Sequence, residues 1–350
     1  MKKKRIIWRS FLLLLVAFLL VSAVSCDVAT PSEQDTTAVD TTADTTTEEE
    51  IPTETESEPQ KPAEDADDGN YRILIAADLH CTHQETWYGV AYRDRMQRWV
   101  DAVLAEHERD PIDLLLIAGD ISLDHWAKKG SYTVDKVSAS KVFIDDFLSQ
   151  IRPHIPVFVL AGNHEQYSNE QWKTMTGNDR RGTTVVGDNL FILLDAYATD
   201  LEPNYDGDPS YTKQDVAYIR EQLEKYPECK NVYLVSHYFD YKNESDSFKD
   251  LVRLEPRIKG LFQGHLHQCT VIDMGTIYGN KKIAQLGNFS YSGTQSTQEE
   301  LENSFWGFRE LVITPTSAIT NYIIAESKIT VYGKVLVDLQ RRLVNPVQFY

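Results

Sequence analysis

Asp78-Leu79-His80, Gly119-Asp120, Gly162-Asn163-His164-Glu165, His237 and Gly264-His265-Leu266-His267 each stand at the end of an apolar run in a chain of 350 residues. Together they offer two carboxylates that could ligate in pairs, one amide and up to five imidazoles. That donor set suits two hard-to-borderline divalent cations held side by side, of the Mn, Fe, Zn or Co type. Two such ions about 3.5 to 4 Å apart lower the pKa of a shared water and clamp the attacking and leaving oxygens of a displacement. No Ser or Cys nucleophile is then needed, and the scarcity of thiolate argues against structural zinc and iron–sulfur clusters.

The elements that must position these residues alternate. Residues 71–77 (YRILIAA), 113–118 (DLLLIA) and 156–161 (PVFVLA) are short aliphatic runs of the kind buried on both faces, and they predict central strands. Between the first two, Met96, Trp99, Val100, Val103 and Leu104 recur at helical spacing; between the next two, Val142, Phe143, Phe147, Leu148 and Ile151 do the same. A fourth strand at 190–195 precedes a helix over 213–226, a fifth follows at 231–236, and Leu261-Phe262-Gln263 leads into Gly264-His265. Beyond Thr270 the pattern is β-rich, with strands expected at 271–278, 282–286, 311–313, 319–324 and 328–337. Four of the five clusters directly follow a strand, and in open α/β sheets the ligand crevice lies outside the strand carboxyl ends. Gly119 and Gly162 allow the sharp exits that turn Asp120 and Asn163 toward a common point.

The ordered set Asp-x-His, Gly-Asp, Gly-Asn-His-Glu, an isolated His after a strand, and Gly-His-x-His resembles the calcineurin-like metallophosphoesterase superfamily over about residues 71–290. The resemblance implies an α/β fold, a four-layer α-β-β-α sandwich of two packed mixed sheets flanked by helices, in residues 70–315. Residues 316–350 are then a β-rich C-terminal extension packed on the same domain. By similarity Asp78, His80 and His267 hold one metal, Asn163, His237 and His265 hold the other, and Asp120 bridges both. His164 lies near the substrate phosphate with Asn163, where it stabilises the transferring phosphoryl group or helps the leaving oxygen, so His164 and Asp120 carry the catalysis. The implied reaction is metal-dependent hydrolysis of a phosphate ester by a bridging hydroxide. The superfamily spans monoesterases, diesterases, nucleotidases, pyrophosphatases and nucleases.

Charge and leader narrow the substrate. The net charge is −18, but residues 27–69 hold fifteen acids against Lys61 alone, and the first 26 residues hold five basic residues and no acid, which leaves about −9 on residues 70–350. A body so acidic is not built to grip nucleic acid backbone, and the expected substrate is a small phosphorylated molecule. Lys2, Lys3, Lys4, Arg5 and Arg9 precede a nearly apolar stretch over 11–24, shorter than the ~20 residues that span a bilayer, so residues 1–26 predict a cleaved export signal. Ser22-Ala23-Val24-Ser25-Cys26 resembles a bacterial lipobox, although Ala23 stands where Leu is usual. It implies that Cys26 is the lipidated first residue of an extracytoplasmic, membrane-anchored protein, at the cell surface or in the periplasm; an ordinary secretory signal is the alternative. Residues 27–69, rich in Thr, Pro, Asp and Glu, predict a disordered tether with a reach of roughly 35 to 40 Å.

Other residues have plainer readings. Cys81, Cys229 and Cys269 imply no disulfide framework. His83 is placed to approach the site, and Asp124, His125 and Trp126 to line a pocket or stay structural, whereas His107 and His154 read as structural. Tyr238 and Tyr241 serve packing or stack on an organic leaving group, and Glu165 braces its loop. Two competing functions remain: a non-catalytic surface lipoprotein that binds phosphate or carbohydrate, and a metal-dependent nuclease, which would call for a basic groove.

Overall fold

In β1 (Tyr71–Ala76) Ile73 and Ile75 face one way, Leu74 and Ala76 the other, and all four are fully buried. The period-2 alternation therefore requires a packed layer on both sides of the strand. The computed structural model describes residues 69–82, 86–87, 90–124, 138–201, 209–290, 305–325, 329–331, 334–336 and 342–350, all within one compact unit, Ala63–Tyr350. The export signal, the tether, Cys26, His83, His125 and Trp126 lie outside the described residues. Among the described residues no helix is long and apolar enough to cross a membrane.

The chain runs through β1, α1 (Tyr92–Arg109), β2 (Leu114–Ala118), α2 (Ala139–Val142, continued by a π turn over Phe143–Leu148 and by Ser149–Ile151), β3 (Val157–Leu160) and α3 (Asn169–Thr176). Then follow β4 (Gly182–Val186), β5 (Asn189–Leu194), α4 (Val216–Lys225), β6 (Asn231–Ser236), α5 (Asp246–Leu254) and β7 (Ile258–Gln263). The last strands are β8 (Val271–Asp273), β9 (Lys282–Gln285), β10 (Gly307–Thr314), β11 (Ser317–Ile324) and β12 (Arg342–Gln348). One six-stranded sheet has the order β12-β11-β10-β1-β2-β3, the other β8-β9-β7-β6-β5-β4.

Both sheets are mixed. β1, β2 and β3 pair in parallel while β10 joins β1 antiparallel; β5, β6, β7 and β9 are parallel, with β4 and β8 antiparallel at the edges. Three apolar clusters define the layers. Ile73, Leu116, Phe191, Tyr233, Phe262 and Leu311 fill the space between the sheets. Trp99, Val103, Phe143 and Leu148 cover the outer face of the first sheet, and Ile219, Leu223, Phe248 and Leu251 cover that of the second. The result is the four-layer α-β-β-α sandwich. At its start β1 is anchored by Arg72, which bridges Glu106 of α1 at 2.5 Å and Glu310 of β10 at 3.0 Å.

Several local expectations shift. Residues 276–278 form a 3-10 turn rather than the end of a strand. Residues 328–337 contain two short antiparallel strands, Ile329–Val331 and Lys334–Leu336, instead of one. The helix expected over 213–226 starts at Val216, because Asp215 caps it by accepting from Tyr218 N at 3.0 Å.

Candidate metal centre

The carboxyl ends of β1, β2, β3, β6 and β7 share one rim, and there the chain brings the five clusters together. Gly119 and Gly162 make the meeting possible: a Cβ on Gly119 would lie 2.7 Å from the Gly162 backbone, and one on Gly162 would lie 2.1 Å from Asp120 Oδ1. Asp78, His80, Asp120, His265 and His267 all have positive φ, between 46° and 66°. Among the described residues only Asn280 and Asn345 join them as non-glycine residues in that region. Such a conformation costs on the order of 1–3 kcal/mol per residue and persists where the surroundings enforce it, often at functional sites.

Asp120 is the centre of the arrangement. Its Oδ2 lies 3.1 Å from His237 Nε2, 3.4 Å from His80 Nε2 and 3.6 Å from His164 Nε2. Asp78 Oδ1 lies 3.2 Å from His267 Nε2 and 3.8 Å from His80 Nε2. Asn163 Oδ1 is 2.9 Å from both His237 Nε2 and His265 Nδ1. The potential donor atoms fall into three overlapping groups, each within 4.8 Å: Asp78–His80–His267, His80–Asp120–His164, and Asp120–His237–His265. All seven residues expected to bind metal are therefore neighbours, and His164 sits at the edge of the same cluster.

The donors fit a cation. His237 Nδ1 faces the Ala118 carbonyl at 2.8 Å and donates to it, which leaves Nε2 facing Asn163 Oδ1 and Asp120 Oδ2, where a proton or a cation must sit between them. Without that proton or a cation, three lone pairs would converge in a buried site, an arrangement that requires positive charge among them. Among the described residues the only ion-pair partners of Asp78 and Asp120 are histidines.

The electrostatics agree. Burial opposes a charged His237, yet the Asp120 carboxylate outweighs it and pushes the imidazolium up to about 10. Burial would raise the Asp120 carboxyl, but His164 and His237 hold it well below the usual range. Burial also lowers His80 well below its ordinary value, and burial with the nearby His237 lowers His265 to about 3, so both present neutral rings suited to ligation.

Glu165, fully buried, holds the two loops in place. Its carboxylate accepts from Asp120 N at 2.8 Å, Gly162 N at 2.8 Å and Ser122 N at 3.0 Å. Burial and the charge of Asp120 push its carboxyl up to about 8. Replacing Glu165 with Ala leaves three buried N–H groups without this acceptor, and we expect cation affinity to fall by about 10- to 100-fold, measured by calorimetric titration of the stripped protein.

Other residues separate cleanly. Asp124 is buried and accepts from Ala139 N and Ser140 N at 2.7 and 3.0 Å, a helix-capping role rather than a pocket-lining one. His107 accepts from Ile112 N at 3.0 Å, and His154 is exposed. Tyr241 packs on Tyr278, while Tyr238 lies against His265 with ring centroids 4.8 Å apart. Arg180, Tyr197 and Tyr211 were not marked by the sequence. Arg180 donates to the Glu165 and Tyr167 carbonyls at 2.5 and 3.0 Å and pairs with Asp195 at 2.6 Å, joining the Asn163 loop to the end of β5. Tyr197 lies 6.1 Å from the His237 ring. Nothing local distinguishes these from surface residues, since the partners that bring them to the site are 13 to 68 positions away.

The profile of the calcineurin-like phosphoesterase family matches residues 71–269. A protein of Invertebrate iridescent virus 3, 078R, whose name gives it provisionally as a phosphoesterase, is 32% identical over 102 residues, 29% of this chain. The similar segment spans only 25% of the viral protein's length. A dimetal phosphatase from Danio rerio shares the fold, with a TM-score of 0.53 and 13% identity over 80% of this chain and 98% of that one. Purple acid phosphatase PPD1 from yellow lupin (Lupinus luteus) seeds has a TM-score of 0.49 at 13% identity, covering 80% of this chain and 53% of its own.

Proposed function

The chain belongs to the calcineurin-like phosphoesterase family, and on that premise we propose that it is a metal-dependent phosphoester hydrolase with a dinuclear centre, acting outside the cytoplasm from a membrane tether. The observation that carries the reading is Asp120 Oδ2 within 3.6 Å of three imidazoles, between two further donor groups. Asp78, His80 and His267 would hold one cation and Asn163, His237 and His265 the other, with Asp120 placed between the two groups. Bound there, the ions supply Lewis acidity toward phosphate and a nucleophilic water at neutral pH.

The chain's own residues orient and protonate. His237 is fixed by the Ala118 carbonyl, Asp78 by the His265 backbone N–H at 2.9 Å, and His164 by its own N–H on Asp120 Oδ1 at 3.1 Å. His164, 8% exposed, stands edge-on to His80 at 5.2 Å. It binds the phosphoryl oxygens with Asn163 and gives a proton to the leaving oxygen. Replacing His164 with Ala lowers kcat by about 10²- to 10⁴-fold with both cations retained; loss of a cation instead would make it a ligand.

The test of the activity is turnover by the full chain, stripped and reloaded with Mn, on p-nitrophenyl phosphate and bis-p-nitrophenyl phosphate. Activity on either supports the reading, and silence on both by a folded, loaded protein contradicts it. The leader and the acidic segment 27–69 support export, with Cys26 as a lipidated anchor. Cys26→Ser then moves the protein from the membrane to the soluble fraction; an unmodified Cys26 in the mature protein contradicts anchoring.

A further inference from the structure

One side of the metal centre is aromatic. The Tyr238 ring lies 4.8 Å from His265, tilted by 48°. Tyr211 stands edge-on to Tyr238 at 5.4 Å, and Tyr197 is 6.3 Å from Tyr211 and 6.4 Å from His265. Tyr197 is buried, whereas Tyr238 and Tyr211 are half-buried.

The wall is held from behind. The Tyr211 hydroxyl donates to the buried Glu244 carboxylate. Gln214 Nε2 donates to Tyr211 Oη at 2.9 Å and to the Tyr238 carbonyl at 3.1 Å, and Ser236 Oγ donates to that same carbonyl at 3.0 Å. The core tyrosines Tyr278 and Tyr322 spend their hydroxyls on the carbonyls of Tyr241 and Phe305. Tyr238 differs in its surroundings: its ring is packed on a proposed ligand instead of in a core, and among the described residues its hydroxyl makes no hydrogen bond, as is also so for the core Tyr233.

A rigid, half-exposed ring beside a phosphate site, on an acidic body, suits a planar partner more than a polyanion. Resting on the phosphoesterase reading above, we propose that Tyr238, buttressed by Tyr211 and Tyr197, stacks on the leaving group and selects small phosphate esters whose alcohol carries a planar aromatic ring, nucleoside or aryl. Stacking of a base on an aromatic side chain corresponds to about 5- to 150-fold in affinity.

The test compares kcat/KM of the Mn-loaded full chain on a nucleoside 5′-monophosphate, phenyl phosphate and methyl phosphate, in wild type, Tyr238→Phe, Tyr238→Leu and Tyr238→Ala. Calorimetric binding of the nucleoside monophosphate against inorganic phosphate gives a second readout. The expected result is a loss in Leu and Ala at least about tenfold greater on the aromatic esters than on methyl phosphate, with Phe close to wild type. Loss confined to the nucleoside ester identifies a nucleotide as the source; loss on both identifies a general aryl site. Equal losses on all three esters, or a Phe variant as impaired as Ala, overturns the stacking role while leaving the hydrolase intact. Absence of turnover on every ester by wild type removes the phosphoesterase reading itself. Retention of the wild-type cation content in Tyr238→Leu separates lost stacking from a collapsed site.

Discussion

Replacing Asp120 with Asn lowers kcat on a phosphoester by at least about a thousandfold, a loss of roughly 4 kcal/mol of transition-state stabilisation. One oxygen of Asp120 lies within 3.1, 3.4 and 3.6 Å of His237, His80 and His164, so a single carboxylate serves both halves of the site. The amide removes the negative charge that allows two cations to sit side by side, and in one orientation it turns an N–H₂ toward the metal positions. Size hardly changes, which keeps packing against Gly162 intact. The measurement is steady-state turnover together with a melting curve in chelator, where the variant should match the wild type. The same substitution separates the enzyme from a binding lipoprotein, since a phosphate-binding protein that needs no turnover would keep its ligand affinity.

Chelation abolishes turnover and lowers Tm by at least about 8 to 16 °C, reversed by adding back Mn. Each cation at a thousandfold excess over its Kd stabilises the native state by about 4 kcal/mol, and in a domain of this size 1 kcal/mol moves Tm by about 2–4 °C. One site alone accounts for that range. The structure explains why the coupling is strong. Five proposed ligands have positive φ, and two buried carboxylates face only imidazoles among the described residues, so the apo site holds both strain and unbalanced charge. Calorimetry with and without chelator checks it, and an unchanged Tm contradicts cation-linked folding.

Much of this was legible before any coordinates. The runs YRILIAA, DLLLIA and NVYLVS became β1, β2 and β6 because strands buried on both faces carry an unbroken aliphatic signal. β4, with the sequence GTTVV, carries no strand signal because it is a partly exposed edge strand with little apolar contrast. Gly333, a turn residue in the sequence, was the available sign that 328–337 holds two strands and not one. That β10, β11 and β12 complete the first sheet follows from pairing over more than 200 residues between β10 and β1, which no local pattern encodes. The ligand types were readable because all but the isolated His237 stand within two positions of a glycine or another donor, at or just beyond a strand end. Their positive φ was not, because Asp and His reach that region only under tertiary constraint. The aromatic wall was half visible: Tyr238 follows His237 directly, but Tyr197 and Tyr211 join it only in space.

The central claim is that one chain holds two cations in two distinguishable half-sites sharing Asp120. Metal content of the purified full chain by inductively coupled plasma mass spectrometry tests it most directly, in wild type, His267→Ala, His265→Ala and Asp120→Ala. The account predicts two equivalents in wild type, about one in each histidine variant and fewer than one in Asp120→Ala. A wild-type content that stays at or below one with metal in excess, or two equivalents retained without Asp120, would contradict it.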